Sequence, residues 1–407
     1  MKFTELKLKP QILKALEKIG YEELTPIQEK TFLHIMAGTD IIATAETGSG
    51  KTSACGIPIV QSVDSALNAI QVLVMVPTRE LALQYVSEIS KIAQFTEIAP
   101  FAVYGGFPIE TQKAKLEHGV HILIATPGRL IDLLYNSKLS LSQVGALILD
   151  EADEMLDMGF ITDIEFIMSC LTHEHQTMLF SATIPKAVQR LAKRYLKKPV
   201  TLELNTEQIA PVSLRHEFMQ VEGRRKFGFL LKYIEDVKPE QAILFCKSRT
   251  NCVRLFEHLK REVDSVDMIH GGLEQSRRSS LFNRFKKKQI RIMVATDIAS
   301  RGLDFSHASH VINYDFPDGA QAYTHRTGRT ARMGRKGTAV TFFSSFDLRE
   351  LKTIIETNNI RPVWLCEQPD LDNIRRPKGG GGRPGHGRGR QNSRPGYKKQ
   401  RPKKRSS

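Results

Sequence analysis

The sequence predicts an α/β protein of two tandem, doubly wound parallel-sheet domains followed by a disordered basic C-terminal tail. Short apolar runs alternate with helical stretches in two successive series, the pattern of strands and crossover helices in parallel sheets. At 407 residues the chain is too long for one ordinary core and suits two. The 13 Lys and Arg between Arg375 and Ser407 have no acid among them, which leaves 46 basic against 44 acidic residues before them. The net charge of +15 therefore belongs to the tail.

In the first series, strands are expected at Ile41–Thr44, Val72–Val76, Ile122–Ala125, Leu147–Leu149 and Met178–Phe180. Amphipathic or mixed segments such as Glu80–Ile92 and Ile161–Leu171 fill the gaps as helices. Asn205–Ser213, which contains Pro211, reads as an interdomain linker. The second series has runs at Ala242–Cys246, Val266–Ile269, Ile292–Ala295, His310–Tyr314 and Ala339–Phe343. The expected division is 1–205, a linker at 206–213, 214–368, and a tail at 369–407. After Trp364 the alternation stops, and Arg375–Ser407 is largely Gly, Arg, Lys and Pro, with almost nothing to bury. The two series share an element order but no local sequence, so any repeat is structural only.

Composition narrows the function classes. No apolar stretch reaches the length of a membrane span, and Met1-Lys2-Phe3-Thr4-Glu5 does not resemble a signal peptide. Five cysteines are scattered without a C-x-x-C pair, which argues for reduced, buried thiols in a cytoplasmic protein. The basic tail points to a polyanion, nucleic acid foremost; a purely solubilising tail is the alternative.

Ala45-Glu46-Thr47-Gly48-Ser49-Gly50-Lys51-Thr52 follows the first strand. Its glycines let backbone N–H groups approach phosphate oxygens, and the next helix adds its N-terminal dipole. Lys51 can reach the β- and γ-phosphates, and the Thr52 hydroxyl can ligate Mg²⁺. A strict P-loop has Gly where Ala45 stands. Asp150-Glu151-Ala152-Asp153 closes the run Ala146–Leu149. Asp150 at a strand end can hold Mg²⁺ through its water shell, and Glu151 can polarise an attacking water. In His325-Arg326-Thr327-Gly328-Arg329-Thr330-Ala331-Arg332, three arginines form a candidate phosphate clamp from the second domain.

In this order, these residues resemble the DEAD-box family of ATP-dependent RNA helicases across almost all of residues 1–365. The resemblance implies two RecA-like domains. Gly20-Tyr21 and Thr25-Pro26-Ile27-Gln28 look like the adenine-reading Q motif, with Gln28 pairing to the base and Tyr21 stacking on it; the nucleotide is then ATP. Phe3 matches the family's upstream aromatic, with a helix-packing Phe as the alternative. Pro77-Thr78-Arg79-Glu80-Leu81, Gly105-Gly106 and Thr126-Pro127-Gly128-Arg129 match RNA-contact motifs. Ser181-Ala182-Thr183 matches the coupling motif. By the same similarity, Asp304 would bind the ribose, Arg329 and Arg332 would be the fingers on the γ-phosphate, and His325 would link to Asp153 and Ser181-Ala182-Thr183. Leu24, Thr327 and Ala331 depart from common family residues and spare the arginines.

Thr78, Arg79, Thr126, Arg129, Arg278 and Thr296 offer hydroxyl and guanidinium groups on loops after strands. Gly105, Gly106 and Gly128 allow close backbone approach. Such groups bind phosphates and sugars, so RNA binding is expected to be largely sequence-independent and salt-sensitive. The activity expected is ATP hydrolysis coupled to local separation of short RNA duplexes or remodelling of RNA–protein complexes. An ATP-gated RNA clamp and a DNA helicase are the competing readings. Expected partners are RNA and ribosome-assembly or RNA-decay proteins, with no membrane; a monomer is expected because one chain holds both halves of the site.

Overall fold

A strand covered by helices on both faces must be apolar at every position, and the four-residue runs Val72–Met75, Ile122–Ala125 and Ala146–Leu149 are fully buried. A computed structural model describes residues 1–44, 50–203, 214–297, 305, 307–331 and 336–373. Its first sheet holds β1 (Ile41–Thr44), β2 (Val72–Met75), β3 (Pro100–Val103), β4 (Ile122–Ala125), β5 (Ala146–Leu149), β6 (Gln176–Ser181) and β7 (Val200–Glu203). The order is β3-β4-β2-β5-β6-β1-β7, all parallel. The second sheet holds β8 (Leu214–Gln220), β9 (Ala242–Cys246), β10 (Val266–Ile269), β11 (Ile292–Thr296), β12 (His310–Asn313), β13 (Gly337–Phe343) and β14 (Pro362–Trp364). Its order, β10-β11-β9-β12-β13-β8-β14, repeats the first strand for strand.

Alternation along each strand feeds two cores per sheet. Val72 and Val74 pack on one face with Ile122, Ile124 and Ile148, while Leu73 and Met75 pack on the other with Leu123, Leu147 and Leu149. In the second sheet Leu244 and Val294 face one way, and Ile243, Phe245 and Met293 the other. Among the described residues no apolar cluster contains side chains of both domains.

All ten expected strands are present, and four more join them. β3 and β14 lie at sheet edges, and β7 alternates half-buried and exposed residues. β8 is an interior strand despite its polar sequence, because its buried side chains find hydrogen-bond partners, with His216 Nε2 the exception. His216 Nδ1 lies 2.6 Å from the Tyr323 hydroxyl, and Glu217 accepts from the Tyr233 hydroxyl at 3.0 Å. The expected linker and the tail from residue 374 onward lie outside the described residues.

Candidate functional site

Parallel sheets place loops of several strands together at their carboxyl ends, where ligands bind. β1 ends at Thr44; Ala45, Glu46, Thr47, Gly48 and Ser49 lie outside the described residues. Gly50 has φ 92°, a left-handed conformation that glycine adopts without strain. It leads into the helix Lys51–Ser62, whose first turn has no side-chain cap. The N–H groups of that turn are then available to a phosphate.

Lys51 is buried at the start of this helix, its Nζ 3.5 Å from Asp150 Oδ1 at the end of β5. Burial opposes the ammonium charge, but Asp150, Glu151 and Asp153 outweigh it and raise the Lys51 pKa. Asp150 Oδ1 also accepts from the Glu151 N–H at 2.8 Å, and Oδ2 accepts from the Tyr85 hydroxyl at 2.6 Å. Glu151 follows with φ 52°, a strained backbone for a residue with a side chain. Burial first, then Glu154, pushes the Glu151 carboxyl up to about 8, with Lys51 and Arg329 pulling the other way.

Buried carboxylates beside one lysine suit a divalent cation. Among the described residues no group of three or more His, Cys, Asp or Glu could enclose a metal by itself. That donor set fits Mg²⁺, which takes one or two protein groups and fills its remaining positions with phosphate oxygens and water. Asp150 and Thr52 are the residues that could hold it.

Gln28 is buried within the helix Pro26–Met36, and its amide is already engaged. Its Oε1 accepts from the Thr25 N–H at 2.7 Å, and its Nε2 donates to Ser53 Oγ at 3.1 Å. Tyr21 is half-buried and donates to Glu88 at 2.6 Å. Phe3 is buried and stacks on Tyr21, ring centroids 6.3 Å apart, so this aromatic packs behind the tyrosine.

Asp153 joins three segments. Its Oδ2 accepts from the Thr183 N–H at 2.9 Å and from the Thr183 hydroxyl at 2.7 Å. Ser181 Oγ accepts from the Asp153 N–H at 3.2 Å and donates to the Thr183 carbonyl at 2.6 Å, with Ala182 between them. From the second domain His325 approaches, Nε2 3.6 Å from Asp153 and Nδ1 3.5 Å from Glu154. Burial opposes the Asp153 charge, yet hydrogen bonds from His325 and Thr183 hold its carboxyl well below the usual range. Burial lowers the His325 pKa, while Asp153 and Glu154 more than reverse this, so the net shift is upward.

The three-arginine clamp resolves unevenly. Arg326 turns into its own domain, where its guanidinium makes a bidentate pair with Asp297 at 2.6 and 2.7 Å and donates to the Asp315 carbonyl at 2.8 Å. It is a structural tie. Arg329 is buried, and its charge acts on Glu151 across the cleft. Arg332 and Asp304 lie outside the described residues.

Residues expected to contact RNA gather at the same strand ends. Pro77 follows β2, and Thr78 Oγ1 caps the helix Arg79–Ile92 by accepting from the Leu81 N–H. The Arg79 guanidinium lies 4.5 Å from the Tyr104 ring centroid. Its Nε is buried without a hydrogen-bond partner. Arg129 donates to the Phe107 carbonyl at 2.8 Å, and Thr126 precedes Pro127 and Gly128 at the head of their helix. A Cβ added to Gly105, Gly106 or Gly128 would meet nothing within 4 Å, so there is open space above all three. Arg278, on the second domain, reaches Glu80 of the first at 3.5 Å. Thr296 ends β11 and is buried.

Comparison with known proteins decides the family. Residues 25–191 match the family model described as DEAD/DEAH box helicase, and residues 225–334 match the helicase conserved C-terminal domain. A DEAD-box ATP-dependent RNA helicase CshA from Geobacillus kaustophilus is 40% identical over 370 residues, covering 91% of this chain and 79% of its own. The chain belongs to the DEAD-box helicase family. Among solved structures, S. cerevisiae Dbp5 bound to RNA and ADP BeF3 superposes with a TM-score of 0.80 at 28% identity, covering 89% of this chain and 95% of that one. A Dbp5 variant bound to two protein partners, IP6 and ADP gives 0.61 at 26% identity, covering 90% and 97%. This DEAD-box chain thus superposes better on Dbp5 bound to RNA than on that other complex.

Tyr85 was not singled out in the sequence as a site residue, and Arg326 was read there only as part of the phosphate clamp. Tyr85 reads as one apolar-face position in an amphipathic helix, and the sequence carries no signal that its hydroxyl meets Asp150.

Proposed function

We propose that this protein hydrolyses ATP on binding RNA and uses the cycle to separate short duplexes or remodel RNA–protein complexes. The observation that carries this is the Asp153 junction. One carboxylate beside the ATP-site carboxylates holds Ser181 and Thr183 and faces His325 of the other domain.

In this reading Gln28 and Tyr21 bind adenine, which requires Gln28 to exchange a protein hydrogen bond for the base. The segment Ala45–Thr52 wraps the phosphates, and Lys51 neutralises them. Mg²⁺, held by Asp150 and Thr52, supplies charge stabilisation at the phosphates. Glu151 orients the attacking water and Arg329, with Arg332, stabilises the charge that develops on the γ-phosphate. Asp304 takes the ribose. Thr78, Arg79, Gly105, Gly106, Thr126, Gly128, Arg129, Arg278 and Thr296 grip the RNA backbone, so affinity falls with salt more than it changes with sequence. The division into 1–205, 214–368 and a tail at 369–407 assigns the ATP loop to the first unit and the fingers to the second, with the tail as a loose RNA tether.

No helix among the described residues is long and apolar enough to cross a membrane. A cytoplasmic monomer acting alongside ribosome-assembly or RNA-decay proteins fits this reading. The test is ATP-dependent strand separation of a short RNA duplex, tailed and blunt, by the full chain and by a form lacking 375–407. Separation, with tail loss mainly weakening RNA affinity, supports the proposal. RNA-stimulated hydrolysis without separation replaces it with the ATP-gated clamp.

A further inference from the structure

Tyr85 lies two turns into the helix Arg79–Ile92 and is wholly buried. Its hydroxyl donates to Asp150 Oδ2 at 2.6 Å. On its other side is Cys55 Sγ at 3.8 Å, on the helix that begins with Lys51. From the helix after β2, the tyrosine oxygen therefore meets two other elements, the end of β5 and the helix that begins with Lys51.

The two oxygens of Asp150 have different duties. Oδ1 faces Lys51 and is held by the Glu151 N–H. Oδ2 has the Tyr85 hydroxyl. A buried phenol is costly unless it is hydrogen-bonded, and this one has a charged acceptor at short range, the stronger kind of bond.

We infer that Tyr85 is a positioning residue for magnesium–nucleotide binding: its hydroxyl fixes the rotation of the Asp150 carboxylate, so that the edge facing Lys51 and the phosphates is presented in one orientation. This rests on the reading of Asp150 as the group that holds the cation. Groups that orient a metal-holding carboxylate typically matter 10- to 100-fold in metal affinity or activity.

The experiment measures binding of a fluorescent ADP to the full chain by equilibrium titration, first without divalent cation and then across a Mg²⁺ series. Tyr85→Phe keeps the ring and removes only the oxygen. The expected result is an unchanged metal-free affinity and a Mg²⁺ midpoint raised roughly tenfold or more. Cys55→Ala, which leaves the Tyr85–Asp150 bond in place, should keep the wild-type midpoint. Three results overturn the inference: a wild-type midpoint in Tyr85→Phe, an equal fall in metal-free and metal-dependent affinity, or the same shift in Cys55→Ala. Asp150→Asn separates the two layers. If it leaves the Mg²⁺ dependence intact, the role given to Asp150 fails; if it weakens it while Tyr85→Phe does not, only the role given to Tyr85 fails.

Discussion

Glu151→Gln should make the protein more stable and inactive at the same time. The Glu151 carboxyl is buried near Glu154 and Asp150, and its pKa rises from 4.5 to about 8. Between those values the folded chain binds a proton that the unfolded chain releases, so folding loses stability as pH rises. The loss is absent below the unfolded value and complete above the folded one. At pH 7 it amounts to roughly 3 kcal/mol, at 1.36 kcal/mol per pH unit. Glutamine has a similar shape and no charge, so the substitution removes this penalty. For a domain of this size 1 kcal/mol moves the melting temperature by about 2–4 °C, which gives a gain of several degrees at pH 8 and almost none at pH 4.5. Melting of both proteins across that pH range, with RNA-stimulated ATP turnover measured alongside, is the assay. ATP and RNA should still bind, while turnover stops. A variant no more stable at pH 8 than at pH 4.5, relative to wild type, would refute the electrostatic reasoning. Rapid turnover would remove Glu151 from the water-orienting role.

Three other substitutions probe the His325–Arg329 segment of the second domain. Arg329→Ala should lose turnover by roughly a thousandfold or more while keeping most ATP affinity, and single-turnover hydrolysis with a binding titration checks both. The closed form raises the His325 pKa, so its bridge to Asp153 is complete below the ordinary value of 6.5 and is lost as pH rises through the raised value. Domain closure followed by fluorescence energy transfer, with RNA and a non-hydrolysable ATP analogue bound, should fall by about fivefold in closed-to-open ratio over that window, and His325→Gln should flatten the profile. Arg326→Lys cannot keep the bidentate pair; Asp297 is 35% exposed, which discounts the loss to about 2 kcal/mol, visible as a lower melting temperature of the second domain.

How much of this was legible in the sequence follows from what a linear pattern encodes. β2, β4, β5, β9 and β11 are covered on both faces and read as uninterrupted apolar runs. β8 did not, because His216 and Glu217 are made tolerable in an interior strand by Tyr323 and Tyr233, partners distant in sequence or on the following helix. The same limit governs the site. Motif order placed Lys51, Asp150, Asp153 and His325, since each sits at a strand or helix end that turn chemistry marks. It did not separate Arg326 from Arg329, three residues apart on opposite errands. It also gave no sign that Gln28 spends both ends of its amide on Thr25 and Ser53.

The way the two domains meet explains why ligands should govern closure. Among the described residues the apolar cores stay within their own domains, so closing buries no shared hydrophobic cluster. Polar pairs span the cleft: Glu80 with Arg278 at 3.5 Å, Asp157 with Gln321 at 3.0 Å, and His325 with Asp153 and Glu154. The charged pairs are largely buried, so the cost of stripping water from them offsets most of their attraction and little net stabilisation remains. A few of them cannot hold two domains together against their lost freedom of motion, yet they fix the geometry once something else does. In the proposed cycle ATP and RNA each bridge the cleft, supply that difference and therefore raise each other's affinity. A strongly apolar seam would stay closed after hydrolysis. The polar seam lets the domains part when phosphate leaves, which is what a repeating cycle requires.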